Sequence, residues 1–195
     1  MKLNRSFYTR QDVVQIAREL IGKFIFTNFD GQLTSGIIIE TEAYEGVTDR
    51  ASHAFGGRRT ARTEVMFASG GVAYVYLCYG IHSLFNIVTH KQDVPHAVLI
   101  RGILPAEGLD IMKRRAQKTD LRPGSGSGPG KVSKLLGIHY SHSGLDLTGG
   151  KIWLEDRGLD LDGEILTGTR IGVDYAGQDT FLPYRFWVPE SKLIP

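Results

Sequence analysis

Residues 37 to 46 read IIIETEAYEG, a run of isoleucines that gives way within a few residues to two glutamates and a tyrosine. On an extended strand alternate side chains share a face, so Glu40, Glu42 and Tyr44 point one way while Ile39, Thr41 and Ala43 point the other. An acidic and aromatic face of this kind suits a general base beside a stacking surface. A strand running out into solvent would give the same letters, because most glutamates are exposed. Further along, YVYLCYGIHSLFN at 74 to 86 carries three tyrosines within six residues. Alternation puts Tyr74, Tyr76 and Cys78 on one face, and Tyr79 on the other beside the turn-prone Gly80. Each buried phenol needs a hydrogen-bond partner, so such density is unusual for a core. It suits base stacking, worth ~1–3 kcal/mol per base. A strand using tyrosine for its β-propensity is the plainer reading.

The distribution of charge supports a polyanionic partner. Residues 1–49 hold 5 basic and 7 acidic side chains, residues 50–134 hold 13 and 5, and residues 135–195 hold 5 and 9. The overall +2 therefore conceals a basic middle. Arg50, Arg58, Arg59 and Arg62 occupy a loop-like stretch with no acidic residue between them, and Lys113, Arg114, Arg115, Lys118 and Arg122 form a second cluster. Clusters like these are the electrostatic footprint of nucleic acid, although a solvated helix face accounts for the second equally well.

Other chemistries fall away. GSGSGPGK at 124 to 131 resembles a phosphate loop, but Ser125 stands where the first glycine is required and Val132 where a magnesium-ligating hydroxyl belongs. A glycine loop opening a helix can still hold a DNA phosphate on its amides, which makes Lys131 a backbone-contact candidate. His139 and His142 have no acidic or cysteine partner at metal spacing, so no metal is expected. One cysteine, Cys78, excludes an internal disulfide framework and a Cys-rich zinc site, and its apolar run suggests a core position. MKLNRSFYTR has no apolar run after its basic residues, and no stretch approaches the ~18 apolar residues of a membrane span. A cytosolic protein is expected, nucleoid-associated if bacterial.

At 195 residues, 42% hydrophobic and 23% charged, the chain has the composition of one ordinary globular domain. Thr9 can cap a helix over 11–21, where Val13, Ile16, Ala17, Leu20 and Ile21 recur at helical spacing. A strand at 23–28 turns at Asp30-Gly31 into a strand at 33–42. Further strands are expected at 71–79, 84–90 and 97–102, helices at 106–118 and from Pro129 to Gly137, and strand and turn over 151–189. The fold class is α+β, a single domain with a curved, largely antiparallel sheet and surrounding helices.

Taken together, ETEAY (40–44), RASH (50–53), GGRRTARTEVMF (56–67), YVYLCYGIHSLFN, AVLIRG (97–102), SGPGKVSKLLGI (127–138) and RIGVDYAG (170–177) resemble the alkyladenine (3-methyladenine) DNA glycosylases of the mammalian-type fold. The blocks stand in family order and cover most of 36–177. The resemblance implies a base-excision repair enzyme that flips a damaged purine from duplex DNA and hydrolyses its N-glycosidic bond. It implies Glu42 as general base, with Arg101 and the Val173 carbonyl helping to position the water. Tyr44, His53 and Tyr76 would enclose the base, Asn86 would discriminate against purines with a 2-amino group, and Tyr79 would wedge into the duplex. Arg58, Arg59, Arg62 and Lys131 are candidates for the DNA backbone. The sequence departs from some members at Ile81 and His82, beside the wedge. The implied partner is double-stranded DNA containing damaged purines and no cofactor is expected; one-site DNA scanning needs only a monomer. No lysine occurs between Lys23 and Lys91, so the segment forming the pocket offers no amine for Schiff-base attack, and a monofunctional enzyme is expected.

Two other readings remain open on the residues alone. A carbohydrate-directed glycosidase would use Glu40 and Glu42 as an acid and base pair set ~5–9.5 Å apart. A non-catalytic nucleic-acid-binding module would use the tyrosines as a stacking sheet. A zinc-dependent base deaminase is excluded, because one cysteine cannot complete its metal site.

Overall fold

A computed structural model describes residues 1–193. Among these, eight strands run in chain order: β1 Phe24–Phe29, β2 Gln32–Tyr44, β3 Val72–Cys78, β4 His82–Thr89, β5 His96–Glu107, β6 Ile152–Glu155, β7 Leu166–Gly168 and β8 Arg185–Trp187. The α-helices are α1 Arg5–Tyr8, α2 Val13–Glu19, α3 Leu109–Ala116 and α4 Pro129–Leu136, and short 3-10 turns lie between elements. The sheet order is β3-β4-β5-β2-β1-β6, and every pairing is antiparallel. This is the expected α+β class, with an open sheet. The first hairpin closes at Asp30 and Gly31, both at positive φ as primed two-residue turns require.

β2 organises the molecule. One of its edges pairs with β5 along most of its length, while the other pairs with β1 through Ile37 and then with β8 from Glu40 to Glu42. The sheet therefore branches just where the glutamates lie. One face is covered by α2, α3 and α4 over a core that includes Ile16, Leu20, Ile38, Ala43, Val98 and Ile100. The other face is roofed by two irregular segments. Residues from 45–70 pack Ala54, Met66 and Phe67 onto Tyr74, Val88 and Ala97, and residues from 170–181 pack Val173 and Ala176 with Ala51 and Tyr44.

Several boundaries differ from expectation for local reasons. Thr9 ends the short helix α1, and Asp12 caps α2 instead by accepting from the Gln15 amide at 2.9 Å. β5 runs on to Glu107, displacing the start of α3 to Leu109. The ladder tolerates Pro105 because the register with β2 shifts between Ser35 and Gly36. Cys78 is half-buried at a cavity wall rather than in the core. His142 Nδ1 accepts from the His139 amide and His139 Nδ1 from the Ser141 amide, closing a 3-10 turn that gives their spacing a structural use. No helix among the described residues is long and apolar enough to cross a membrane.

Candidate active site

Glu42 lies on the roofed face of β2, and its side chain has no exposed surface. Its Oε1 accepts from the Ile171 amide at 2.8 Å and stands 3.3 Å from Arg101 Nε, while its Oε2 accepts from Tyr44 Oη at 2.7 Å. A carboxylate offers about four lone-pair sites. Among the described residues two of them accept hydrogen bonds, from the Ile171 amide and Tyr44 Oη, and Arg101 adds a charge contact. Burial raises the proton affinity of Glu42, and Arg101, the Ile171 amide and the Tyr44 hydroxyl oppose that rise.

Arg101 reaches this place through an irregularity in β5. Glu40 pairs with Gly102 and Thr41 with Ile100, so Arg101 is the extra residue of a bulge, a device that re-aims a side chain. A Cβ on Gly102 would come within 3.0 Å of the Glu40 Cβ, so the two strands approach this closely only with glycine there. Glu40 Oε1 accepts from Arg101 Nε at 3.1 Å and from Arg185 Nη1 at 3.0 Å. From the roofing segment, Arg170 donates to both carboxylate oxygens of Asp49, including Nη2 to Oδ1 at 2.9 Å, and to the Ala43 carbonyl at 3.0 Å. Its guanidinium lies 4.9 Å from the Tyr44 ring centre.

Beside the carboxylate is a cavity of about 260 Å³ walled by Tyr44, His53, Tyr74, Tyr76, Asn86 and Arg101 among others. That is small next to the ~300–1,000 Å³ of drug-sized sites and suits a single flat ring system. Glu42 does not line it directly, but its three partners Tyr44, Arg101 and Ile171 do. His53 Nδ1 is 2.8 Å from Tyr74 Oη, and its ring meets Tyr76 edge-on at 4.7 Å. Burial first, then Arg62 and Arg58, push the His53 pKa down to about 4, so the imidazole is neutral at pH 7. Asn86 donates through Nδ2 to the carbonyls of Tyr74 and Leu84, at 3.2 and 3.3 Å. The Val173 carbonyl accepts from the Ala176 amide at 2.9 Å and Thr180 Oγ1 at 3.0 Å, filling both its lone pairs.

At the rim, the β3–β4 turn puts Tyr79 at φ 50 and Gly80 at φ 72. Tyr79 is 92% exposed and Ile81 73%. Tyr79 nonetheless also lines the cavity mouth, a role that strand alternation alone did not suggest. A second hollow shares Ser52, His53 and Tyr175 with the cavity and is edged by Arg50, Arg58 and Arg62. Arg62 lies 4.8 Å from the Tyr76 ring centre, with Nη2 3.5 Å from His53 Nε2.

The model of the family described as methylpurine-DNA glycosylase (MPG) matches residues 6–192. The chain belongs to this family. Three bacterial relatives bear the provisional name 3-methyladenine DNA glycosylase. That of Chlamydia abortus is 46% identical over 94% of this chain and 96% of its own, and that of Chlamydia felis 45% identical over 98% and 100%. The relative from Desulfitobacterium hafniense is 38% identical over 99% and 98%. Methylpurine-DNA glycosylases are hydrolases that act on DNA, and this chain is such an enzyme.

Of the residues singled out in the sequence, this methylpurine-DNA glycosylase fold gathers Glu42, Arg101, Tyr44, His53, Tyr76, Asn86 and Val173 around one cavity, with Tyr79 at its mouth. Arg58 and Arg62 edge the adjoining hollow. Arg59 stands apart from them. It is held by Glu64 at 2.7 and 2.8 Å and Asp93 at 3.0 Å, with its guanidinium over Phe67. Lys131 is exposed in the first turn of α4, next to Gly130, which lies close under His82. Sequence reasoning missed Arg170, Ile171 and Arg185. RIGV contains the first two, but nothing local marks Arg185, which matters only because β8 pairs with β2.

Proposed function

We propose that the protein releases alkylated or deaminated purines from duplex DNA, with Glu42 activating the water that attacks the sugar C1′. The observation carrying this reading is the fully buried carboxylate whose bonding partners form the wall of an aromatic cavity. A base inside a duplex is out of reach, so the nucleotide is flipped out at a cost of a few kcal/mol, least for a damaged pair. Tyr79, exposed at the tip of its hairpin, fills the space left behind.

The extruded base enters between Tyr44, Tyr76 and neutral His53. Alkylation at N3 or N7 makes the purine cationic, which improves it as a leaving group and strengthens its attraction to tyrosine faces. Asn86 at the cavity wall opposes a 2-amino substituent. Glu42 takes a proton from water at a free acceptor site, and its charge favours the oxocarbenium-like transition state. Arg101 supplies donors beside it. The Val173 carbonyl, bonded to Ala176 and Thr180, joins in holding the water only by giving up one of these bonds. No metal or redox group is needed for this chemistry, and one chain supplies cavity, wedge and basic rim, so a monomer suffices. The enzyme works where chromosomal DNA lies, in the cytosol and, in a bacterium, at the nucleoid.

Glu42→Gln is expected to slow base release from a duplex carrying one defined lesion by ~10²–10⁴-fold, the usual worth of a general base, while DNA binding persists. Equal release by both proteins would overturn the mechanism and favour a binding module. The carbohydrate-glycosidase alternative is disfavoured because Glu40, its required second carboxylate, is engaged by two arginines. Among the described residues none that lines the cavity is a lysine, so the product is an intact abasic site. Borohydride is expected to trap no covalent enzyme–DNA adduct, and a trapped adduct detected by gel shift would refute monofunctionality.

A further inference from the structure

Glu40 performs no step in that mechanism, yet it is held more firmly than a spare carboxylate requires. Arg185, Glu40, Arg101 and Glu42 form a row of alternating charge drawn from β8, β2, β5 and β2 again. Arg185 is itself fixed, with Nε donating to the Thr169 carbonyl at 2.9 Å and its guanidinium 4.2 Å from the Trp187 ring centre. Arg101 Nε carries a single hydrogen. It donates that hydrogen to Glu40 at 3.1 Å, although Glu42 Oε1 is only 3.3 Å away and takes its bond from the Ile171 amide instead. Among the described residues, neither Arg101 Nη makes a protein hydrogen bond.

An arginine beside one carboxylate ordinarily closes onto it through two parallel N–H bonds. Such a fork stabilises the anion and depresses its proton affinity, which would spoil Glu42 as a base. A competing carboxylate prevents the closure, and Arg185 neutralises the charge that the competitor adds. We infer that Glu40, anchored by Arg185, is a positioning residue that keeps Arg101 from closing on Glu42, leaving the base unquenched and the Arg101 Nη donors free at the cavity wall. The inference rests on Glu42 being the general base. The charged and polar groups around Glu42 are Glu40 and Tyr44 on β2, Arg101 on β5, and Arg170, the Ile171 amide and Tyr175 from the roofing segment, with Arg185 on β8 reaching it through Glu40. α2 packs on the opposite face of β2, where Thr41 meets the Ala17 carbonyl.

The test is single-turnover base release against pH, with binding of the same lesion duplex measured in parallel, for wild type, Glu40→Gln, Arg185→Gln and Arg185→Lys. Glu40→Gln is expected to slow release by about 10–100-fold, part of a general base's worth, and to move the acid limb of the profile to lower pH as Arg101 closes on Glu42. Binding should change by no more than about twofold, placing the loss in the chemical step. Arg185→Gln leaves the charge of Glu40 uncompensated and so should move the limb the opposite way, to higher pH, and Arg185→Lys should restore most of the wild-type profile. Wild-type rate and limb in Glu40→Gln, or a slower rate with an unmoved limb, would overturn the inference and leave Glu40 a merely structural role. If Glu40→Gln fails to fold, the two Arg185 variants decide the question by the same readouts. Undiminished release by Glu42→Gln in the same assay would instead strike the parent reading, and this inference with it.

Discussion

A carboxylate with no exposed surface is a cost that a protein bears for a reason. Burial favours the protonated form of Glu42, so its folded pKa lies above its unfolded one. The stability it contributes is therefore greatest at low pH and is lost as pH rises through that elevated value. Glutamine has no such dependence. Glu42→Gln is accordingly expected to unfold at a higher temperature than wild type near pH 8, with the gap narrowing toward pH 4 in calorimetric scans. A variant melting below wild type at every pH would contradict this. At this scale the sequence was readable in part. Strand alternation put Glu40 and Glu42 on one face but could not choose between them, because the choice depends on Arg185 and Ile171, over a hundred residues away.

The elements that hold these residues owe much to departures from regularity. The bulge at Arg101 and the register shift near Pro105 bend β5, and neither leaves a clear trace in a hydrophobic pattern. By contrast the β1–β2 hairpin was legible, since Asp30-Gly31 is a turn by local chemistry alone. In the sequence the glycine loop before α4 reads as a possible phosphate cradle, with nothing to mark a structural role. It in fact props β5 from behind. The Gly128 amide donates to the Arg101 carbonyl at 2.8 Å, and a Cβ on Gly126 would fall 2.0 Å from the Ile103 carbonyl oxygen. Gly126→Ala must push loop and strand apart. It is expected to cost about 1–3 kcal/mol or more in urea unfolding, the range for overpacking, and to slow base release as Arg101 shifts. Unchanged stability would show that the loop yields freely.

Across the whole molecule, the arginines of the basic middle differ in their surroundings. Arg58 and Arg62 edge the hollow next to the cavity, whereas Arg59 is spent on Glu64 and Asp93. Binding to duplex DNA should fall steeply with salt. Replacing Arg58 or Arg62 by Gln is expected to reduce the slope of log K against log salt by ~0.9 for each phosphate left without its cation. Arg59→Gln should leave that slope intact, and a reduced slope there would show that Arg59 leaves its acidic partners for DNA. Composition revealed the cationic segment but not this division, since the acidic partners of Arg59 are told only by the fold. The branching of β2 was likewise invisible, because β8 is three residues long and far away in sequence. That branch has a consequence for the order of events during synthesis. A ribosome releases Tyr44, His53 and the β3–β4 hairpin first, and Ile171, Val173 and Arg185 afterwards. The carboxylate of Glu42 is therefore made well before the segments that wall it in, and the site closes only when β8 and the roofing segment reach β2.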